Sequence, residues 1–113
     1  MLNYSIKDFE GTKVLEISGN LTSSSVDMFY DIVVRLTEKE SIMINIENVG
    51  LISLAGLNTL VDVSQMAKRK GKRIILLWPG DELKKLAETM EVYYSLIFAE
   101  SLEEGKTKIS FFV

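Results

Sequence analysis

Hydrophobic and polar positions change period several times along the chain, and these changes outline the secondary structure. Residues 4–10 alternate in a strand of mixed polarity, and apolar residues return at positions 14–17 after the turn Gly11-Thr12. Two short runs of this kind around a tight turn predict an opening hairpin. The second strand is expected to end at Gly19.

Three segments carry apolar residues at spacings of three and four, the period of an amphipathic helix. We predict a first helix from the capping cluster Thr22–Ser25 to about Lys39, a second from Leu54 or Ala55 to Lys70, and a third capped by Asp81 that carries Leu83, Leu86, Ala87 and Met90. The predicted core stripe of the second helix is Leu57, Leu60, Val61, Ser64 and Ala67. Gly71 is the expected left-handed cap of that helix.

Short apolar runs at residues 41–46, 73–78 and 96–98 predict strands, the first two buried on both faces. Strands that alternate with helices predict an α/β fold, with a mixed, mostly parallel sheet, an opening hairpin and covering helices. The length fits a single domain over residues 1–113. The tail from Ser101 is ambiguous, and Phe111, Phe112 and Val113 must be buried or form an apolar patch.

The amino-acid composition argues against several classes of function. The chain contains no histidine and no cysteine, which removes the commonest general base, thiol nucleophiles and thiolate metal sites. No phosphate-cradling glycine motif is present, so we expect no enzymatic activity, no cofactor and no metal. The net charge of −3 gives no broad basic field for nucleic acid. With no signal-peptide pattern and no apolar run of membrane length, we expect a cytoplasmic protein.

Two further features have competing interpretations. The cations Lys68, Arg69, Lys70, Lys72 and Arg73 form a run that would suit nucleic acid, but cations at a helix C-terminus also offset its partial negative charge, and we favour that interpretation. Trp78 follows a buried strand at its carboxyl end, where ligands of open α/β sheets bind. It could stack on a small molecule or cover the rim of the sheet.

The segment from Asn45 to Leu57 carries a motif in which a strand ends in Asn-Ile, a loop has Val49 and Ile52, and Ala-Gly-Leu opens a helix. Together with Gly19–Thr22, Gly71-Lys72 and residues 98–104, it resembles the STAS family, of the anti-sigma factor antagonist type, over nearly the full length. The resemblance implies a STAS-like fold and a partner that is an anti-sigma factor or a related ATP-binding kinase domain. In that family the kinase phosphorylates a serine on this loop, and phosphorylation releases the partner.

The acceptor position of that serine is occupied by Leu54, and Ser53 stands where the family has aspartate. Leucine has no hydroxyl, so the usual switch is predicted to be absent, with Ser53 left as an off-register phosphorylation site or as the cap of its own helix. Leu54 is either exposed or turned into the core. The predicted partner-binding residues are Leu51, Ser53, Leu54, Ala55, Gly56, Asn58, Thr59, Asp62, Val63 and Met66.

The leading hypothesis is a protein-binding regulator of transcription in a partner-switching pathway. One alternative is a scaffold STAS domain in a signalling or transport complex. Another is a small-molecule sensor that uses the helix N-terminus and Trp78. Homo-oligomerisation stays open.

Overall fold

The structure is a computed structural model that describes residues 2–111. Its five strands are β1 (Leu2–Phe9), β2 (Thr12–Leu21), β3 (Ile42–Ile52), β4 (Ile74–Leu77) and β5 (Phe98–Ala99). Its helices are α1 (Val26–Thr37), α2 (Leu54–Arg69), α3 (Asp81–Thr89) and α4 (Leu102–Phe111), with a 3-10 turn at Tyr93–Ser95. The strands form one sheet in the order β1-β2-β3-β4-β5.

The sheet is mixed, as predicted. Strand β1 pairs antiparallel with β2, and the remaining neighbours pair in parallel, with Leu15 opposite Ile44 and Ile44 opposite Leu76. The hairpin turn is Glu10-Gly11, one residue earlier than predicted, and both residues have positive φ, as a type I′ turn requires.

Two strands are longer than predicted because bulges carry them past their expected ends. Gly19 does not end β2: it takes φ +98° at a register shift, and β2 continues to Leu21. Strand β3 was predicted to stop at Ile46. It passes a second shift where Asn45 Oδ1 accepts a hydrogen bond from the Glu47 amide (2.9 Å), and its extension (residues 47–52) reaches Ile52.

The helices lie on both faces of the sheet. On one face α1, α2 and α3 cover the main core, which includes Leu15, Ile44 and Leu76. On the other face a smaller cluster contains Met43, Ile75 and Leu77 and is covered by α4. All residues from Ile42 to Ile46 are buried, which confirms that this part of β3 is covered on both faces.

The tail and the caps differ in detail from the sequence predictions. Residues 102–111 form a helix, and Gly105 allows it to pack closely, since a β-carbon there would stand 2.5 Å from Met43 Sδ. Phe111 is exposed, while Phe112 and Val113 lie outside the described residues. The N-cap of α3 is Gly80, not Asp81.

The C-terminal part of the chain departs from the prediction in two further places. Met90 follows α3 as an exposed residue. The last strand is Phe98–Ala99, where residues 96–98 were expected.

Candidate functional site

The candidate site lies at the carboxyl edge of the sheet, where the parallel strands β2 and β3 end side by side and α2 begins. The Ser53 amide donates to the Leu21 carbonyl oxygen (3.0 Å), which ties the start of α2 to the end of β2. Gly56, in the first turn of α2, lies so close that a β-carbon would stand 2.3 Å from the same oxygen. The N-terminus of α2 is therefore held firmly against the sheet.

Ser53 is the N-cap of α2. Its Oγ accepts a hydrogen bond from the Gly56 amide (3.2 Å), and its backbone is extended, as a cap requires. The interpretation of Ser53 as the cap of its own helix is confirmed. The hydroxyl lies at a half-buried position, so part of the residue still faces solvent.

Leu51 and Leu54 stand on either side of Ser53 and are both exposed, by 56% and 49%. The open question about Leu54 is thereby answered: it is a surface residue and not a core residue. Two large exposed aliphatic side chains next to a rigid helix terminus form the kind of apolar spot that a partner can cover.

The exposed face of α2 continues this spot along the helix. Asn58 and Asp62 follow Leu54 at intervals of four residues and are exposed, while Ala55 and Thr59 are half-buried beside them. The Thr59 hydroxyl donates to the Ala55 carbonyl oxygen (3.0 Å), so that it does not project as a free group. The surface formed by Leu51, Leu54, Ala55, Asn58, Thr59 and Asp62, with Ser53 at its edge, is called the α2 surface below.

Three residues predicted to bind a partner are buried instead. Val63 is 0% exposed and Met66 is 7% exposed, because α1 packs against this side of α2. The Thr37 hydroxyl of α1 reaches the sulfur of Met66 at 4.0 Å. Gly56 is also buried, and the backbone that it admits is that of β2 and not of a partner.

The core stripe of α2 is accordingly wider than predicted and rotated toward α1. It consists of Gly56, Leu57, Leu60, Val63, Met66 and Ala67. Val61 and Ser64, which were assigned to the stripe, are only half-buried.

The cation run begins at the C-terminus of α2. Lys68 and Arg69 lie in its last turn, where they face the partial negative charge of the helix. Gly71 takes φ +75°, and its amide donates to the Lys68 carbonyl while that of Lys72 donates to Ala67. These bonds form the left-handed cap predicted from the sequence.

Trp78 closes the second core cluster at the end of β4. Its indole Nε1 donates to the Glu100 carbonyl oxygen (2.9 Å), and its ring packs against that cluster. The residue takes φ +53°, a left-handed conformation that is unusual for a large side chain. Trp78 therefore covers the rim of the sheet, as one of the two interpretations predicted.

A cleft of about 480 Å³ lies between the β3 extension and the start of α3. Trp78 contributes to its wall, with Leu51 and Leu83 as apolar neighbours and Glu47 and Asp81 as acidic ones. The sequence pointed to Trp78 as a candidate ligand contact, but it did not indicate that the β3 extension forms the opposite wall, because the two walls are far apart in the chain. The cleft could have been predicted from the sheet order, because β3 and β4 are neighbouring parallel strands and their carboxyl ends lie at the same edge of the sheet.

Within residues 2–111, no group of three or more acidic side chains is arranged to hold a metal ion. In the same range, no helix combines the length and the apolar character needed to cross a membrane.

Comparison with known proteins gives the family. The family model described as STAS domain matches residues 3–105. No curated protein matches the sequence. Among solved structures, an anti-sigma factor antagonist from Mycobacterium paratuberculosis is similar with a TM-score of 0.81 at 12% identity, and the match covers 97% of this chain and 95% of that one.

Two other solved structures show how widely this fold is used. The phosphorylated form of the Bacillus cell fate determinant SpoIIAA has a TM-score of 0.68 at 16% identity, covering 95% of this chain and 99% of that one. A murine Solute Carrier 26 family anion transporter has a TM-score of 0.77 at 14% identity, covering 93% of this chain and 18% of the transporter. At such identities the similarity shows a common fold.

Proposed function

The chain belongs to the STAS domain family, and we propose that it is a cytoplasmic regulator that binds a protein partner of the anti-sigma factor class. The names of two structural neighbours, an anti-sigma factor antagonist and SpoIIAA, support this choice of partner. The observation that carries the proposal is the pair of exposed leucines, Leu51 and Leu54, on either side of Ser53.

The α2 surface has the features of a small binding interface. Leu54 and Leu51 supply apolar contacts near its centre, and the exposed polar residues Asn58 and Asp62 supply a rim. Because Ser53 and Gly56 fix the first turn of α2 against Leu21, little conformational entropy is lost when a partner binds.

We propose that this regulator is not released from its partner by phosphorylation of the loop. The family resemblance puts the acceptor at residue 54, where leucine offers no hydroxyl. The neighbouring Ser53 hydroxyl is occupied as a cap by the Gly56 amide. Binding would then be controlled by the amounts of the two proteins or by a change in the partner.

The proposal is tested by the affinity of the purified chain for the purified anti-sigma kinase domain encoded in the same genome. Leu54→Asp places an unpaired charge in the centre of the contact, which costs several kcal/mol when it is buried. We expect affinity to fall at least about a hundredfold, since each 1.4 kcal/mol is a factor of ten. Thermal unfolding should stay unchanged, because residue 54 is solvated in the free chain.

Met28→Asp is the matched control, since Met28 is a similarly exposed apolar residue (40%) on α1. Its affinity for the kinase domain should equal that of the wild type. Wild-type affinity in Leu54→Asp, with an unchanged melting curve, would exclude the α2 surface as the interface.

The first alternative is a scaffold in a signalling or transport complex, which needs no phosphorylation. The similarity to a domain of an anion transporter supports it. The two hypotheses differ in the partner: a scaffold shows no measurable affinity for an anti-sigma kinase domain, whatever stands at residue 54.

The second alternative is a small-molecule sensor, and the cleft beside Trp78 supports it. A volume of about 480 Å³ lies within the usual range for ligand sites. A compound that binds there should raise the melting temperature of the wild type but not of Leu86→Arg, which fills the cleft from its half-buried wall.

We also propose that the chain itself catalyses no reaction. The proposal rests on the lack of histidine, cysteine and a nucleotide-cradling loop. Steady ATP hydrolysis by the purified chain, lost on mutation of one of its residues, would contradict it.

A further inference from the structure

Strand β1 forms one outer edge of the sheet, and within residues 2–111 its strand partner is β2 alone. The two-residue turn determines which backbone groups face outward. The pair that closes such a turn, here Phe9 and Thr12, is hydrogen-bonded, and hydrogen-bonded pairs then alternate along the ladder. The N–H and C=O groups of Leu2, Tyr4, Ile6 and Asp8 consequently point away from β2.

The side chains on this edge are unusually apolar for an unprotected strand. Tyr4 is 48% exposed and Ile6 is 46% exposed. They pair with Ile17 and Leu15 of the main core, so they lie on the same face of the sheet as α1, α2 and α3.

Natural edge strands are commonly protected by charged side chains that prevent pairing with another chain. The cation of this strand, Lys7, lies on the opposite face of the sheet from Tyr4 and Ile6, and its Nζ is 4.0 Å from Glu16 Oε1 on β2. It therefore leans inward over the sheet. The apolar side of the edge, at Tyr4 and Ile6, has no charge in front of it on β1 except Asp8 at the far end.

We propose that β1 pairs with β1 of a second copy of the chain, antiparallel and about a two-fold axis that passes midway between the two Ser5 residues. The axis must be normal to the sheet, because only such an axis reverses the strand direction and keeps the same face of the sheet on the same side in both copies. Residues that face each other are then on the same face of a sheet that continues through both copies. Centring on Ser5 uses the strand from Leu2 to Asp8 in full.

This register is self-complementary in both shape and charge. Tyr4 of each copy faces Ile6 of the other, and such aromatic–aliphatic cross-strand pairs stabilise sheets. Lys7 faces Asn3 and Asp8 faces Leu2, so like charges do not meet. The two Lys7 residues are four positions apart along the strands, about 13 Å, which exceeds the screening length of about 8 Å at physiological salt.

The pairing adds about eight backbone hydrogen bonds and four exposed apolar side chains. We expect a contact of one strand pair and four apolar side chains to bury less than the roughly 1,600 Å² of a standard interface, so the dimer should dissociate on dilution. The proposal does not depend on the proposed function, since β1 is a different edge of the sheet from the α2 surface.

The absence of cysteine from the chain allows a direct test by single-cysteine variants. In the proposed register Ser5 faces Ser5 of the second copy as a non-hydrogen-bonded pair, with α-carbons about 4.5 Å apart, within the range that a disulfide requires. Ser5→Cys should therefore form a covalent dimer under mild oxidation. Lys7→Cys is the matched control on the same strand and face, and its two copies are too far apart to be joined.

We expect the cross-linked fraction to be at least about tenfold higher for Ser5→Cys than for Lys7→Cys, because only the former satisfies disulfide geometry. Adding Ile6→Lys to Ser5→Cys should abolish the cross-link by removing the Tyr4–Ile6 contact. Equal cross-linking of Ser5→Cys and Lys7→Cys would overturn the register. In the wild type, sedimentation should show a dimer that Ile6→Lys dissociates and that Leu51→Lys leaves intact, and a wild type that stays monomeric at millimolar concentration would overturn the pairing.

Discussion

The first turn of α2 rests directly on the end of β2, because a β-carbon on Gly56 would stand 2.3 Å from the carbonyl oxygen of Leu21. Real side chains do not approach a backbone oxygen so closely, and neither element can move without breaking the Ser53–Leu21 hydrogen bond (3.0 Å). The contact determines where α2 begins and thereby where Leu54 is presented.

Gly56→Ala should destabilise the fold by about 2 kcal/mol or more, the usual cost of forcing extra volume into a packed site. Helix propensity alone would favour alanine by about 1 kcal/mol, so a loss of stability can be assigned to the clash with Leu21. Gly80→Ala is the control: Gly80 has φ −75° and no atom within 4 Å of a β-carbon, so its loss of stability should be limited to about 1 kcal/mol or less, the amount by which alanine is a poorer N-cap than glycine. Urea unfolding measures both, and equal midpoints for Gly56→Ala and the wild type would contradict the close contact.

Ser53→Ala should lower the free energy of unfolding by about 1 kcal/mol, because the Gly56 amide loses its acceptor. Ser53→Asp supplies another good N-cap and a negative charge at the positive end of α2, so its stability should stay within about 0.5 kcal/mol of the wild type. Urea unfolding at neutral pH separates the two variants. If both lose stability equally, the role of Ser53 is not that of a cap.

Val63→Ala should cost about 2 kcal/mol, as expected for a truncated core side chain. The neighbouring Asp62→Ala should change stability by less than about 0.5 kcal/mol, because Asp62 is exposed. Thermal or urea unfolding of the pair checks the corrected orientation of α2. If Val63→Ala left stability unchanged and Asp62→Ala lowered it, the orientation of α2 predicted from the sequence would be the correct one.

Incubation with an anti-sigma kinase and ATP should leave residues 51–57 of the wild type without phosphate, because Leu54 has no hydroxyl and Ser53 is engaged as a cap. Leu54→Ser restores an exposed hydroxyl at the first position of α2 and should gain phosphate there. Intact-mass and peptide mass spectrometry give the stoichiometry. Stoichiometric phosphate on Ser53 of the wild type would show that the switch operates one residue early.

Much of the fold could be predicted from the sequence because its signals are local. The helix period, the Gly71 cap and the apolar run at 42–46 each depend on neighbours within a few residues, and the structure confirms all three. The ends of β2 and β3 were predicted too early. Each strand continues past a bulge because it pairs with the other strand there, and this long-range pairing leaves no local signal in the sequence.

The part of the site that depends on local signals was also predicted. The position of Ser53 at the start of a helix follows from local capping chemistry, and the structure confirms it. The exposed face of α2 cannot be predicted from local chemistry, because an apolar residue at helical spacing can face the sheet, a second helix or a partner. Val63 and Met66 are buried on the side of α2 that packs against α1, and this contact forms only when the chain folds.

The sequence alone determined the order of the strands and helices along the chain, the caps of α2 at Ser53 and Gly71, and the absence of a hydroxyl at residue 54. Only the tertiary structure decided that Leu54 is exposed, that Val63 is buried and that Trp78 borders a cleft. The physical reason is that periodicity records which side of an element is apolar, whereas burial depends on which other elements pack there.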